Sequence, residues 1–167
     1  MSTIFEREIK GILEGDDKTL QRVVHTCDSL AQASYEKIKS KPFVVIRSAG
    51  SFGVDIVAVR GDISFPIEVK SSVEETIHLN SPRLIEQMAR LKNVCSKAGL
   101  TPIYAFRLKS VRGDAWRMFT IETDGLSGVQ KILHNRLPKM TQTTGGNYMM
   151  KWSDGMPLHK FIEYITL

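Results

Sequence analysis

The sequence of 167 residues contains few cysteines and no long apolar segment. Its two cysteines, Cys27 and Cys95, fall at apolar positions of predicted helices, which excludes a disulfide framework or a zinc site and indicates a reducing compartment. No apolar run approaches the roughly 20 residues of a membrane span. The opening residues MSTIFEREIK are charged and helix-like, unlike a signal peptide. We therefore expect a cytoplasmic protein without a membrane partner.

Internal repeats and low-complexity segments are also absent, and the four histidines show no metal-ligand spacing. The apolar content of 42% and the charged content of 25% are typical of globular proteins. The length suits one domain with a sizeable core. These observations predict a single domain over residues 1–167.

Acidic residues are scarce between Arg83 and Arg117. This segment contains eight Lys or Arg residues and two acids, and the whole chain carries a net charge of +5. A basic face of this kind suits a polyanion, most commonly nucleic acid. The alternative is a solvated helix face followed by a hairpin, which requires no ligand.

Hydrophobic periodicity predicts the element order α-α-β-β-β-α-β-β-α-α. The predicted helices cover about 3–14, 16–41, 81–98, 128–133 and 158–165, and the predicted strands are FVVIRS, VDIVAVR, SFPIEVKSS, IYAFRL and WRMFTI. The segment TQTTGGNYMM contains Gly145-Gly146 and is predicted to be a loop. This order predicts an α/β fold with a mixed central sheet flanked by helices.

Three charged residues, Asp55, Glu68 and Lys70, interrupt the apolar strands. Side chains two apart on a strand share a face, so Glu68 and Lys70 point the same way, and a turn at Gly61-Asp62 can bring Asp55 beside them. Two neighbouring carboxylates repel each other unless a hard divalent cation takes oxygen ligands from both. Such a cation can activate water and stabilise charge on phosphate, while the lysine orients the water or binds the phosphate. The cluster therefore indicates metal-dependent phosphodiester hydrolysis.

Two alternatives accompany this interpretation. A Glu68–Lys70 salt bridge on a surface hairpin would give the same pattern, and a bare Asp…Glu-x-Lys match is weakly specific. Asp62 is a rival for the first carboxylate, but it lies beside Gly61 in a turn, where Asp is favoured. Asp55 lies between apolar residues, where burying a charge is costly unless the charge is paired or binds a metal. We therefore select Asp55.

Longer segments of the chain resemble a known family. FEREIKGIL, VVIRSAGSFGVDIVAV, IEVKSS, PRLIEQMARLKNVCSKAGLTPIYAFRL and WRMF together resemble the archaeal Holliday junction resolvases, members of the PD-(D/E)xK, or restriction-endonuclease-like, superfamily. The resemblance covers most of residues 4–14 and 43–122, in order and with family-like spacing. It implies a restriction-endonuclease-like core and a single nuclease domain.

The resemblance also implies roles for individual residues. It places metal-binding carboxylates at Asp55 and Glu68, a metal-binding backbone carbonyl at Val69, the catalytic lysine at Lys70 and an assisting acid at the metal at Glu6. The residues assigned to DNA binding are Arg7 and Arg47, a loop serine that is either Ser48 or Ser51, and the basic residues Arg83, Arg90, Lys92 and Lys109, which extend the phosphate track.

The sequence departs from the family pattern in three places. Val54 stands where the superfamily usually has proline. Residues 16–41 insert an extra helix after helix one, which leaves the placement of Glu6 over the metal open. Residues 123–150 have no clear counterpart, so about 123–167 is expected to be a divergent C-terminal segment.

The function implied by the resemblance is structure-selective DNA cleavage in recombination and repair. A homodimer would resolve four-way junctions by paired, symmetric hydrolysis, using Mg²⁺, with Mn²⁺ as a possible substitute and without a small-molecule cofactor. The alternatives are another PD-(D/E)xK nuclease of the restriction or repair type, or a non-catalytic DNA-binding module of the same fold. The intact Asp55, Glu68 and Lys70 argue against the non-catalytic module.

Overall fold

A computed structural model describes residues 3–48 and 54–167. The helices are α1 (Thr3–Leu13), α2 (Asp17–Val24), α3 (Ser29–Glu36), α4 (Pro82–Ala98), α5 (Gly128–Arg136) and α6 (Leu158–Ile165), with 3-10 turns at Lys37–Ser40 and Trp152–Asp154. The strands are β1 (Val44–Arg47), β2 (Ile56–Val59), β3 (Phe65–Ser72), β4 (Thr76–Leu79), β5 (Ile103–Leu108), β6 (Trp116–Phe119), β7 (Thr141–Gln142), β8 (Tyr148–Lys151) and β9 (Met156–Pro157). None of the described helices has the length and apolarity of a membrane span.

The main sheet has six strands in the order β1-β2-β3-β5-β6-β9. Strands β3 and β5 are parallel, and the other neighbours are antiparallel. Helix α4 belongs to the crossover that parallel neighbours require. Pro66 is tolerated in the central strand β3 because pairing with β5 begins only at Ile67. The mixed sheet flanked by helices confirms the predicted fold class.

Helices and a small second sheet cover the two faces of the main sheet. Helices α1, α3 and α6 contribute to a core on one face, with Ile9, Tyr35, Trp116 and Phe161 fully buried. The second core contains residues of α4 and of the three-stranded sheet β4-β8-β7. Tyr104 and Phe106 of β5 belong to this second core and lie opposite Glu68 and Lys70 of β3. The charged pair therefore points to the face that α4 covers.

The insert after α1 is helical, as predicted, but it forms two helices and a 3-10 turn instead of one helix. The carboxylate of Asp28 caps α3 by accepting a hydrogen bond from the Ala31 amide at 2.8 Å. Apolar residues on both sides of this break face the same core, which explains why the periodicity looks continuous. The Tyr35 hydroxyl donates to Asp114 at 2.7 Å. The insert is therefore an integral part of the core.

The second sheet was not predicted. The segment expected to be a loop around Gly145-Gly146 is the hairpin β7–β8, whose turn uses Gly146 at a φ of +84°. Strand β8 pairs with β4, which lies about 70 residues earlier in the sequence. These strands are short and their pairing is long-range, so a local pattern gives little indication of them.

Candidate active site

Asp55 is fixed at the point where the chain enters β2. Its amide donates to the Ile67 carbonyl at 3.2 Å, and its carbonyl accepts from the Ser48 amide at 2.8 Å. Its carboxylate accepts from the Val69 amide at 2.7 Å. The bonds to Ile67 and Val69 tie Asp55 to β3, and the bond from Ser48 ties it to the end of β1, so the carboxylate lies beside Glu68.

Glu68 and Lys70 project from β3 on the same face, as the alternation of a strand requires. The Lys70 Nζ lies 3.3 Å from Glu68 Oε1, and their side chains are only 20% and 13% exposed, respectively. The second oxygen, Glu68 Oε2, is buried and has no hydrogen-bond partner within the part of the chain that the structure describes. An unpaired buried carboxylate oxygen is costly. It therefore marks an open position for a cation or a donor.

The surroundings of this pair explain its electrostatics. Glu68 and Lys70 border a pocket whose other lining residues are Leu79, Leu84, Gln87, Met88 and Tyr104. Burial raises the pKa of Glu68 to about 7; the Lys70 ammonium opposes this shift and the Asp55 carboxylate adds to it. Burial also raises the pKa of Asp55, against the Val69 hydrogen bond, and the nearby Glu6 charge contributes. A bound cation would offset the repulsion between the Asp55 and Glu68 carboxylates and would favour their charged forms.

Glu6 reaches this site from α1. Its Oε2 accepts from Arg47 Nη2 of β1 at 2.9 Å, and its charge acts on Asp55. The Nε of Arg47 is buried and, among the described residues, has no hydrogen-bond partner. The structure therefore brings Glu6 and Arg47 together beside Asp55, and the Nε of Arg47 remains available as a donor to a ligand.

A buried carboxylate on α1, which the sequence analysis missed, anchors this arrangement. The Glu8 side chain accepts from Arg107 Nε at 3.0 Å and from Trp116 Nε1 at 2.8 Å. The Arg107 guanidinium also lies over the Phe5 ring, 4.7 Å from its centroid. These contacts fix α1 to β5 and β6, which sets the position of Glu6. No pattern in the sequence links the three distant residues.

The rival carboxylate, Asp62, lies elsewhere. It forms a bidentate ion pair with Arg60 in the exposed turn between β2 and β3. The Arg60 guanidinium lowers the pKa of Asp62. Asp62 therefore has a structural role in its turn, whereas Asp55 lies beside Glu68 and Lys70.

The predicted DNA-binding residues lie on several elements. Arg7 is exposed on α1, and Ser48 is half-buried directly after β1; Ser51 lies outside the described residues. Helix α4 carries the exposed Arg83 and Arg90 and the half-buried Lys92. Lys109 is exposed directly after β5, with its Nζ 6.0 Å from the Phe5 ring centroid. Their contact with DNA stays a prediction.

The donor set is made of hard oxygen atoms. In residues 3–48 and 54–167 no group of three or more His, Cys, Asp and Glu side chains is arranged to hold a metal. Asp55 and Glu68 provide two carboxylates, and the Val69 backbone adds a carbonyl. Mg²⁺ is typically bound through one or two carboxylates and retains several waters. The residues therefore fit a magnesium ion better than a transition metal that requires histidine or cysteine ligands.

The mixed sheet and the Asp55–Glu68–Lys70 cluster are the features that the resemblance to restriction-endonuclease-like nucleases predicts. A family model described as archaeal Holliday junction resolvase (Hjc) matches residues 35–166. The chain therefore belongs to the archaeal Holliday junction resolvase family, as the resemblance predicted, and its function is the resolution of Holliday junctions. The match runs through residues 123–150 and begins after Glu6 and Arg7.

A solved structure is also similar to this chain. It is the 1.6 Å structure of Hjc from Archaeoglobus fulgidus, a Holliday junction resolvase from an archaeal hyperthermophile. The two chains share 25% sequence identity, with a TM-score of 0.47. The similarity covers 72% of this chain and 81% of that chain.

Proposed function

We propose that this resolvase is a Mg²⁺-dependent endonuclease that acts as a homodimer on four-way DNA, with Mn²⁺ as a substitute cation. The observation that carries the metal assignment is the buried Glu68 Oε2, which lacks a partner among the described residues and lies in a cluster of two carboxylates. We assign Asp55, Glu68 and the Val69 carbonyl as the ligands. When bound, the cation would lower the pKa of a water and stabilise charge on the phosphate.

Lys70 is the residue suited to the attacking water or the scissile phosphate. Its ammonium is held 3.3 Å from Glu68 and borders the pocket. An ammonium at this position can orient a water or neutralise a phosphate oxygen. The Glu68 pairing keeps Lys70 from extending into solvent. The Glu68–Lys70 pair would therefore position both the metal ligand Glu68 and the lysine that acts on the water or the phosphate.

Arg47 is suited to hold the DNA backbone beside the reacting phosphate. Its Nε donor is unused by the described residues, and Glu6 fixes its other end at 2.9 Å. A planar guanidinium with a spare donor matches a phosphate group. Glu6 would thus assist the metal site through its charge and through its hold on Arg47. Ser48 or Ser51 would add a contact from the adjoining loop.

The remaining basic residues would guide the arms of the junction. Arg7, Arg83, Arg90, Lys92 and Lys109 supply positive charge that would contact phosphates and carry little sequence information. We further propose that residues 1–167 form one nuclease domain. Two copies are needed, since a four-way junction has two equivalent strands to cut and the chain provides one Asp55–Glu68–Lys70 set.

The decisive experiment compares a four-way junction with linear duplexes of the same sequences, in Mg²⁺ and in EDTA. We expect the wild type to cut the junction near its branch point only with the cation, and Glu68→Gln to bind the junction without cutting it. Glu122→Gln is the matched control, because Glu122 is exposed and lies outside the site. Equal cutting of linear duplex would favour a restriction- or repair-type nuclease, and cutting by Glu68→Gln would reject the metal assignment.

A further inference from the structure

A second cavity lies beside the active-site pocket, between α4 and the β7–β8 hairpin, and we name it the α4–hairpin cavity. It encloses about 220 Å³, far more than the space that one buried water needs. Its lining residues are Ile85, Met88, Ala89, Lys92, Ile121, Gly146, Asn147 and Tyr148. Met88 also lines the pocket of Glu68 and Lys70. The two cavities are therefore immediate neighbours.

The wall that α4 contributes to this cavity is mostly apolar. Residues three and four apart share one face of a helix, and this spacing relates the four α4 residues of the lining. Ile85 is 44% exposed although it is apolar, and Ala89 is also exposed, whereas Ile121 is buried. The cavity is therefore apolar inside and open to solvent along the helix, as ligand-binding sites commonly are.

Three polar side chains in the lining are available to a ligand. The Lys92 ammonium, the Asn147 amide and the Tyr148 hydroxyl form no hydrogen bond or ion pair with any residue that the structure describes, and all three side chains are half-buried. Lysine neutralises a phosphate, asparagine pairs with the hydrogen-bonding edge of a base, and a tyrosine ring stacks on the face of a base. Together these groups match the parts of one nucleotide.

The charges around the cavity favour an anionic ligand. The acid of α4, Glu86, is paired with Arg90 at 3.2 Å, whereas Arg83 and Lys92 have no ion-pair partner among the described residues. Residues 141–150 of the hairpin carry no charge. A neutral apolar ligand would leave Lys92 without a counter-charge. A base inside a duplex is paired and stacked, so only an unpaired base can present both its edge and its face.

We propose that the α4–hairpin cavity binds one unpaired nucleobase of the branched DNA, with the adjoining phosphate at Lys92. This proposal rests on the proposed function, which brings branched DNA to the neighbouring active site. Duplex stacking is interrupted at a branch point, so a base is released there at the lowest cost. Because Met88 borders both cavities, a base held here sets which phosphodiester lies at Glu68 and Lys70. The cavity thereby selects the cut position relative to the branch point.

The test compares two junctions with the same arms, one fully paired and one with a single unpaired thymine at the branch point. Their affinities are measured by fluorescence anisotropy in EDTA. The wild type should bind the thymine junction about 10-fold more tightly, the effect of stacking one base. Ala89→Trp fills the cavity and should bring the ratio of the two affinities to about one. Ala98→Trp is the matched control, because Ala98 is also an exposed alanine of α4 but lies outside the lining, and it should keep the wild-type ratio.

Circular dichroism establishes that each variant is folded. If Ala89→Trp does not fold, Asn147→Ala replaces it and should lower the ratio several-fold, because the contact to the edge of the base is lost. Equal binding of the two junctions by the wild type would overturn the proposal, as would a folded Ala89→Trp that keeps the preference or an Ala98→Trp that loses it equally. A changed sedimentation of Ala89→Trp with an unchanged ratio would assign the cavity to another protein chain instead.

The same measurements separate this proposal from the proposed function. Binding in EDTA needs no cleavage, so a wild type that prefers the thymine junction but fails to cut in Mg²⁺ would reject the proposed function and leave the base site standing. Mg²⁺-dependent cutting without any preference for the unpaired thymine would reject the base site alone.

Discussion

Glu68→Gln should stabilise the metal-free protein at alkaline pH while it abolishes cleavage. In the folded protein the pKa of Glu68 is about 7, whereas its ordinary value is 4.5. The folded state therefore holds the proton more tightly than the unfolded chain. Its favourable contribution is complete below pH 4.5 and is lost as the pH rises through 7, where the buried carboxylate ionises.

The difference of two to three pH units corresponds to about 3 kcal/mol of unfolding free energy. Glutamine keeps the shape of the side chain but cannot ionise, so the variant avoids this loss. For a chain of this size we expect the melting temperature at pH 8 to rise by roughly 6–12 °C over that of the wild type. At pH 4.5 the two proteins should melt at nearly the same temperature.

The assay is thermal unfolding followed by circular dichroism across this pH range, in EDTA and in Mg²⁺. Mg²⁺ should raise the melting temperature of the wild type at pH 8 and have little effect on Glu68→Gln, because a ligand is missing. Glu122→Gln should follow the wild type throughout. If Glu68→Gln melts at or below the wild-type temperature at pH 8 in EDTA, the reasoning from burial to an ionisation cost is wrong.

Three further predictions concern the site and the DNA track. Asp55→Asn should eliminate cleavage while junction binding, measured by gel shift, survives or tightens, because carboxylate–phosphate repulsion is relieved; retained cutting would remove Asp55 from the site. Lys70→Ala should lower turnover by orders of magnitude, with the exposed Lys18→Ala as a control that turns over normally. Junction affinity should weaken with salt, log K falling by about 0.9 per neutralised phosphate, and a flat titration would contradict the basic track.

Much of the fold follows from local signals in the sequence. Ser81, Pro82 and Gly99 specify both ends of α4, and the structure shows the Ser81 hydroxyl accepting from the Leu84 amide and Gly99 at a positive φ. Such signals act within a few residues and need no knowledge of distant partners. The alternation in IEVKSS similarly placed Glu68 and Lys70 on one face. The sequence therefore indicated the chemistry of the site, whereas the geometry of the site required the structure.

Long-range packing decided the rest. The pairing of β4 with β8 and the anchoring of α1 through Glu8, Arg107 and Trp116 join residues that are far apart in the chain. Local propensity cannot encode such contacts, because each depends on the final position of another element. The Arg47–Glu6 pair arises in the same way.

The sequence by itself determined the strand pattern, the caps of α4 and the identity of the charged cluster, because each depends on residue types at short spacing. Only the tertiary structure decided which apolar faces are covered. The same alternation that buries Val45 and Ala58 leaves Val44 and Val59 exposed. Tertiary packing also decided that one oxygen of Glu68 is buried without a partner among the described residues, because burial is a property of everything that surrounds an atom.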